Sequence, residues 1–166
     1  MKIETAIILC AGYGKRLHPI TLEVPKPLIK IKNKSLLLNT IELVANLGIK
    51  KIKLNTYYLA EQIEDFVNKL ENYGKIEIVK DGDQILDTGG GIKNIMKTST
   101  DENFLVLNPD TIWNLDYKKI ILEMIEFYKL KNLNNLLMVA HKSKSYDTRF
   151  DGDFSMNNHM LSKNKK

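Results

Sequence analysis

Ile3-Glu4-Thr5-Ala6-Ile7-Ile8-Leu9-Cys10-Ala11-Gly12-Tyr13-Gly14-Lys15-Arg16 begins as a β-branched apolar run and breaks into glycines and cations. The nearly continuous apolar stretch from Ile3 to Leu9 is what a strand buried on both faces requires, and such strands belong to parallel sheets covered by helices. Further along, Ser35 can cap a helix. In it Leu37, Ile41 and Val44, and also Leu36, Leu43 and Leu47, recur at helical spacing, with Gly48 at the stop position. Ile49 to Asn55 alternates as a strand. Leu59, Ile63, Phe66, Val67 and Leu70 stripe a second helix ending near Gly74, and Lys75 to Val79 predicts a third strand.

A polar, Gly-rich stretch from Asp81 to Gly91 follows, then a short helix over Ile92 to Met96 and a buried strand from Phe104 to Asn108. Ile120, Ile121, Met124, Ile125 and Tyr128 mark a long helix, and Leu136 to Ala140 a further strand. Asp153 to Met156 and His159 to Leu161 fit a hairpin around Asn157-Asn158. Strands alternating with helices dictate an α/β fold, a Rossmann-like three-layer sandwich around a mostly parallel sheet, because parallel neighbours need a crossover. Ligands of such sheets bind at the carboxyl ends of the strands. That rule selects the loop after Leu9, the Gly-rich stretch after Val79, and the residues just after Asn108.

The 166 residues, 43% of them hydrophobic and 27% charged, allow one domain with a sizeable core and exclude disordered and disulfide-scaffold classes; the single cysteine cannot form an internal bridge. The net charge of +5 does not point to nucleic acid. Of 25 basic residues only Arg16 and Arg149 carry the guanidinium fork that base and phosphate readers favour, and Lys163, Lys165 and Lys166 supply three of the five surplus charges. No run approaches the roughly 18 apolar residues of a membrane span. The apolar start is too short for a signal-peptide core, so a cytoplasmic protein is expected. His18, His141 and His159 are scattered, without zinc-ligand spacing, and Cys10 is better read as packing than as a nucleophile.

In the first loop Gly12 and Gly14 permit a tight turn that brings backbone N–H groups to an anion, and Lys15 and Arg16 add charge at the same place. Phosphate is the natural guest, although a Gly-x-Gly turn by itself is equally structural. The loop is neither a Walker motif nor a dinucleotide fingerprint. No Ser or Thr follows Lys15, Leu17 replaces the third glycine, and Asn55-Thr56-Tyr57 offers no acid to a ribose. Pro25-Lys26-Pro27 then fixes the backbone on both sides of one lysine, as an active-site device or as an ordinary surface turn.

Together the two segments resemble the signature of the sugar-1-phosphate nucleotidyltransferases: Gly12-Tyr13-Gly14-Lys15-Arg16-Leu17-His18-Pro19-Ile20-Thr21, then Pro25-Lys26-Pro27. Leu86-Asp87-Thr88-Gly89-Gly90-Gly91, Asn108-Pro109-Asp110-Thr111 and Gly152-Asp153-Phe154 extend the likeness to the branch of N-acetylmuramate-1-phosphate uridylyltransferases, with mannose-1-phosphate guanylyltransferase-like relatives nearby. The resemblance implies one nucleotide-diphospho-sugar transferase domain over 1–166, with a nucleotide-binding part (1–113) and an incomplete sugar-binding part (114–166) that lacks the family's last strands and a second metal-binding Asp. An apolar edge left open there would favour homo-oligomers.

The implied reaction joins a sugar 1-phosphate to a nucleoside triphosphate. N-acetylmuramate 1-phosphate with UTP is the first expectation, and mannose 1-phosphate with GTP the alternative. A non-catalytic nucleotide or sugar-phosphate binding module is the reading from another class. Arg16 suits the departing phosphates, Lys26 the α-phosphate or the sugar phosphate, and Asp110 a Mg²⁺ ion bridging phosphate oxygens, although an Asp after a strand can equally cap a helix. Ala11, Gly12, Tyr13, Gly14, Lys15, Asp87, Thr88 and Gly89 are expected at the nucleotide, and Gly90, Asn108, Gly152 and Asp153 at the sugar. Pro109 departs from the small residue usual before the metal Asp and removes a backbone N–H there.

Overall fold

The computed structural model describes residues 2–145, 149 and 151–164; Lys165 and Lys166 of the basic tail lie outside them. In chain order the elements are β1 (Thr5–Leu9), α1 (Ile20–Glu23), β2 (Lys30–Ile31), β3 (Lys34–Ser35), α2 (Leu36–Asn46), β4 (Lys51–Thr56), α3 (Ala60–Asn68), β5 (Lys75–Lys80), α4 (Thr88–Met96), β6 (Phe104–Leu107), α5 (Asp116–Leu130), β7 (Phe154–Asn157) and β8 (Met160–Lys163). The main sheet has the order β5-β4-β1-β6 and every pairing in it is parallel. From β1 the chain steps outward to β4 and β5, then returns to the opposite side of β1 for β6. Right-handed crossovers therefore place α2 and α3 on one face and α4 on the other, the three-layer sandwich that the sequence predicts.

Alternation along the strands sorts the core accordingly. Ala6, Ile8, Ile52 and Leu54 pack with Leu37, Ile41 and Val44 of α2 and Ile63 and Val67 of α3. Ile7, of opposite parity, is buried outside that cluster, as is Ile95 of α4. The Ser35 hydroxyl accepts from Leu38 N–H at 3.1 Å and starts α2, and Gly48 at φ 77° stops it. Among the described residues no helix is long and apolar enough to cross a membrane.

The face under α4 also carries a buried cation. Lys53, 7% exposed, donates to Glu77, to Thr98 O at 3.0 Å and to Thr98 Oγ1 at 3.1 Å. Hydrogen bonds from Lys53 and Lys75 lower the Glu77 pKa from 4.5 to about 2. The unfolded chain therefore takes up this proton first, so the contribution of the pair is complete above pH 4.5 and is lost as pH falls toward 2. Glu77→Gln is expected to cost about 1–2 kcal/mol at pH 7. That is less than the loss of a fully buried partner, because the Glu77 side chain is about a third exposed. The variant is also expected to flatten the acid limb between these two pH values in urea titrations. A limb as steep as that of wild type would show that Glu77 is not its source.

Three expectations are corrected. The helix expected over Ile92 to Met96 begins at Thr88, because the Asp87 carboxylate accepts from Gly90 N–H at 2.6 Å and draws the Gly-rich stretch into the first turn. The hairpin turns at Asn158 and His159, not at Asn157-Asn158. Both turn residues have positive φ (47° and 64°), as a two-residue turn matched to strand twist demands. Leu136 to Ala140 forms no strand. The segment half-buries Met138 against the core, but it stands off β6 across two clefts of about 580 and 860 Å³ that both segments line. Its apolar pattern sets a buried face without bringing the backbone within ladder distance.

Candidate active site

Sheet order reverses between β1 and β6, and at their carboxyl ends lies a cleft of about 420 Å³. One wall is the first loop. Gly14 there adopts the left-handed conformation at φ 65°, and Thr21 Oγ1 donates to its carbonyl at 3.0 Å. Tyr58 supports the same loop from behind, donating its hydroxyl to Thr21 O at 2.8 Å and its backbone N–H to Ala11 O at 3.4 Å. A Cβ on Gly14 would lie 2.9 Å from Thr21 Cγ2 and 3.2 Å from Lys26 Cβ. Gly14→Ala is therefore expected to cost about 1–3 kcal/mol of folding free energy in chemical denaturation, from backbone strain joined to the clash. A variant as stable as wild type would refute this account of the turn.

Lys26 opens a one-turn 3₁₀ segment, Lys26–Leu28, that follows Pro25 and contains the buried Pro27. Its Nζ donates to Asp110 Oδ2 at 2.6 Å, joining residues 84 positions apart in sequence. Asp110 follows β6, and its loop is pinned to α2. Asn39 Nδ2 donates to Trp113 O at 2.9 Å, and Asn39 Oδ1 accepts from Trp113 N–H at 2.7 Å. Trp113 is buried and meets Tyr117 edge-on with ring centres 5.0 Å apart, so it is packing rather than a stacking platform. Asp110 caps no helix, since α5 begins six residues later.

Of the residues singled out in the sequence, Ala11, Gly12, Gly14, Lys15, Arg16, Lys26, Asp87, Thr88, Asn108 and Asp110 all line the cleft. Tyr13 does not. Its ring packs against Tyr57 and Tyr58 at 6.0 and 5.2 Å, with Lys15 Nζ 5.2 Å from its centre. Gly89 and Gly90 lie in the first turn of α4, outside the lining, and Gly90 binds Asp87. Gly152 and Asp153 stand at the foot of the β7–β8 hairpin, where their carbonyls accept from Asn164 Nδ2 at 3.0 Å and Asn164 N–H at 2.9 Å.

The sequence reading missed Asn55 in the floor of the cleft and Ile85 and Leu86 in its wall. The rule of strand carboxyl ends applies to β4 as well, and a polar residue closing that strand's alternation was the available signal. Cys10 is 1% exposed and burial pushes its thiol pKa up, which suits packing.

The donor set suits one kind of cation. Among the described residues there is no cluster of three or more His, Cys, Asp or Glu. Asp110 is a half-exposed hard carboxylate beside a cationic, glycine-bordered cleft, and Mg²⁺ is commonly held by one or two carboxylates with phosphate oxygens and water. The residues present therefore fit Mg²⁺ arriving with a phosphorylated ligand, and do not form a self-sufficient metal cage.

Residues 5–150 match the family model described as Nucleotidyl transferase. The chain is 37% identical over 123 residues to the D-glycero-alpha-D-manno-heptose 1-phosphate guanylyltransferase of Aneurinibacillus thermoaerophilus, covering 74% of this chain and 53% of the relative. Identity to the mannose-1-phosphate guanylyltransferase catalytic subunit beta of Drosophila melanogaster is 36% over 120 residues, 70% of this chain and 32% of the relative. The chain thus spans about a third to a half of these relatives. Among solved structures, HddC from Yersinia pseudotuberculosis complexed with GMP-PN superposes with a TM-score of 0.63 at 32% identity, over 75% of this chain and 55% of HddC. A UDP-glucose pyrophosphorylase complexed with UDP-glucose shares the fold at a TM-score of 0.67 and 23% identity, over 79% and 55%. With the parallel sheet, the switch-point cleft and the Lys26–Asp110 pair in place, the chain belongs to the nucleotidyl transferase family.

Proposed function

We propose that the chain joins a sugar 1-phosphate to a nucleoside triphosphate, giving a nucleotide-diphospho-sugar and pyrophosphate. The observation that carries this reading is the Lys26–Asp110 pair, held at 2.6 Å beside a cleft bordered by Gly12, Gly14 and Arg16. An anomeric phosphate oxygen attacks the α-phosphorus, and the bond from that phosphorus to the bridging oxygen of the β-phosphate breaks. The attacking oxygen is already ionised at neutral pH, so no general base is needed, and placement and charge neutralisation carry the rate. Lys26 neutralises the α-phosphate region as a point charge, and Arg16 grips the departing phosphates with its fork. Asp110 is the residue that would hold Mg²⁺, which when bound supplies neutralisation of phosphate charge.

For the base and sugar we infer GTP with mannose 1-phosphate or a related manno-configured sugar 1-phosphate. The first expectation from the sequence, UTP with N-acetylmuramate 1-phosphate, gives way to the alternative because the relatives at 36% and 37% identity carry guanylyltransferase names. The test is a panel of four nucleoside triphosphates against mannose, manno-heptose and N-acetylmuramate 1-phosphates, followed by pyrophosphate release and calorimetry with Mg²⁺. Turnover with GTP and a manno-configured sugar phosphate is expected. Turnover confined to UTP would overturn the base assignment, and binding without turnover would leave only the binding-module reading.

A further inference from the structure

We propose that Asn55 is a positioning residue that couples the two walls of the cleft and thereby sets nucleotide affinity, an inference that rests on the reading of the cleft as the nucleotide site. Asn55 is the penultimate residue of β4, lies in the floor of the cleft and is 3% exposed. Its Oδ1 accepts from Cys10 N–H at 2.9 Å, where the first loop leaves β1. Its Nδ2 donates to both oxygens of Asp81, 8% exposed, at 3.1 and 3.2 Å. Asp81 Oδ2 also accepts from Leu86 N–H at 3.4 Å, and Leu86 belongs to the opposite wall.

Two side chains, Asn55 and Asp81, therefore link residue 10 to residue 86 through three hydrogen-bonded steps, and the link has a fixed polarity. Only an acceptor can face the Cys10 N–H, and only a donor can face the Asp81 carboxylate. Asn meets both demands without burying a second charge. The packing holds the amide in place: a Cβ added to Gly91 of α4 would stand 2.8 Å from Asn55 Nδ2, so the helix approaches to the limit that a glycine allows. Both polar atoms of the side chain are engaged by protein groups, so Asn55 acts through the walls that it holds.

The polarity gives the test. Asn55→Asp sets two buried carboxylates against each other, whereas Asn55→Asp combined with Asp81→Asn exchanges donor and acceptor and restores the link. Wild type, both single variants and the double variant are titrated calorimetrically with GTP and Mg²⁺, and amide hydrogen exchange is followed in the free proteins. Asn55→Asp is expected to weaken GTP binding at least about tenfold and to speed exchange at Cys10 and Leu86, with Ile52 and Leu54 in β4 unchanged; the double variant returns both to within about threefold of wild type. A purely structural role would lower the melting temperature and leave affinity per folded molecule intact. Affinity of Asn55→Asp within threefold of wild type, or no recovery in the double variant, overturns the proposal. Should wild type bind neither GTP nor UTP, the proposed function fails. The exchange data then decide the coupling by themselves: unaltered protection in Asn55→Asp refutes it, and loss with recovery in the double variant supports it.

Discussion

Lys26→Ala is expected to slow pyrophosphate release at least about a hundredfold while moving the folding free energy by less than about 1 kcal/mol. The rate effect follows because transfer between two phosphates needs charge neutralisation more than proton transfer, and losing one preorganised donor to developing negative charge typically costs about 2.7–4 kcal/mol of transition-state stabilisation. The stability effect is small because the Lys26 and Asp110 side chains are 26% and 40% exposed, and ion pairs open to solvent contribute little to folding. Asp110→Ala is expected to show a similar loss, accompanied by a weaker response to added Mg²⁺. Turnover within a few-fold of wild type in either variant would refute its assigned role. Unfolding of Lys26→Ala in urea well below the wild-type midpoint would show that the pair is structural.

Gly12→Leu is expected to weaken nucleotide binding at least about tenfold, or 1.4 kcal/mol, with no change in melting temperature. Gly12 lines the cleft, and a Cβ built there meets nothing within 4 Å. The free protein therefore has room for a Cβ at this position, and a ligand in the cleft would contest the space. Gly14, two residues on, is the opposite case, since its left-handed φ and the 2.9 Å approach to Thr21 make it a folding requirement. The pair separates a glycine kept for a guest from one kept for the turn. Calorimetry with GTP and thermal denaturation on both variants check this, and unaltered affinity in Gly12→Leu would remove Gly12 from the nucleotide site.

Much of the α/β plan was legible because strands buried on both faces leave continuous apolar runs and helices leave stripes. β1, α2, β4, α3, β5, β6 and α5 all fall within a few residues of their expected places. The strand expected over Leu136 to Ala140 failed because side-chain pattern specifies a face, whereas a strand also needs a backbone partner within reach, which β6 is not. Tyr13 was assigned to the cleft by its place in a motif. In the folded chain its ring packs instead against Tyr57 and Tyr58, brought alongside by the β4–α3 connection.

From the sequence alone come the groups available: glycines that allow close approach, the cations of Arg16 and Lys26, the hard carboxylate of Asp110, and a parallel sheet to present them. Each is a local property of residue type, spacing or backbone restriction. The tertiary structure decided which groups meet. Lys26 and Asp110 become partners only because β6 returns beside β1 and Asn39 of α2 holds the loop that follows, and Asn55 becomes a link only because β4 lies between β1 and β5. Contacts across 84 or 45 positions depend on strand order and crossover hand, and no pattern local to either partner records them.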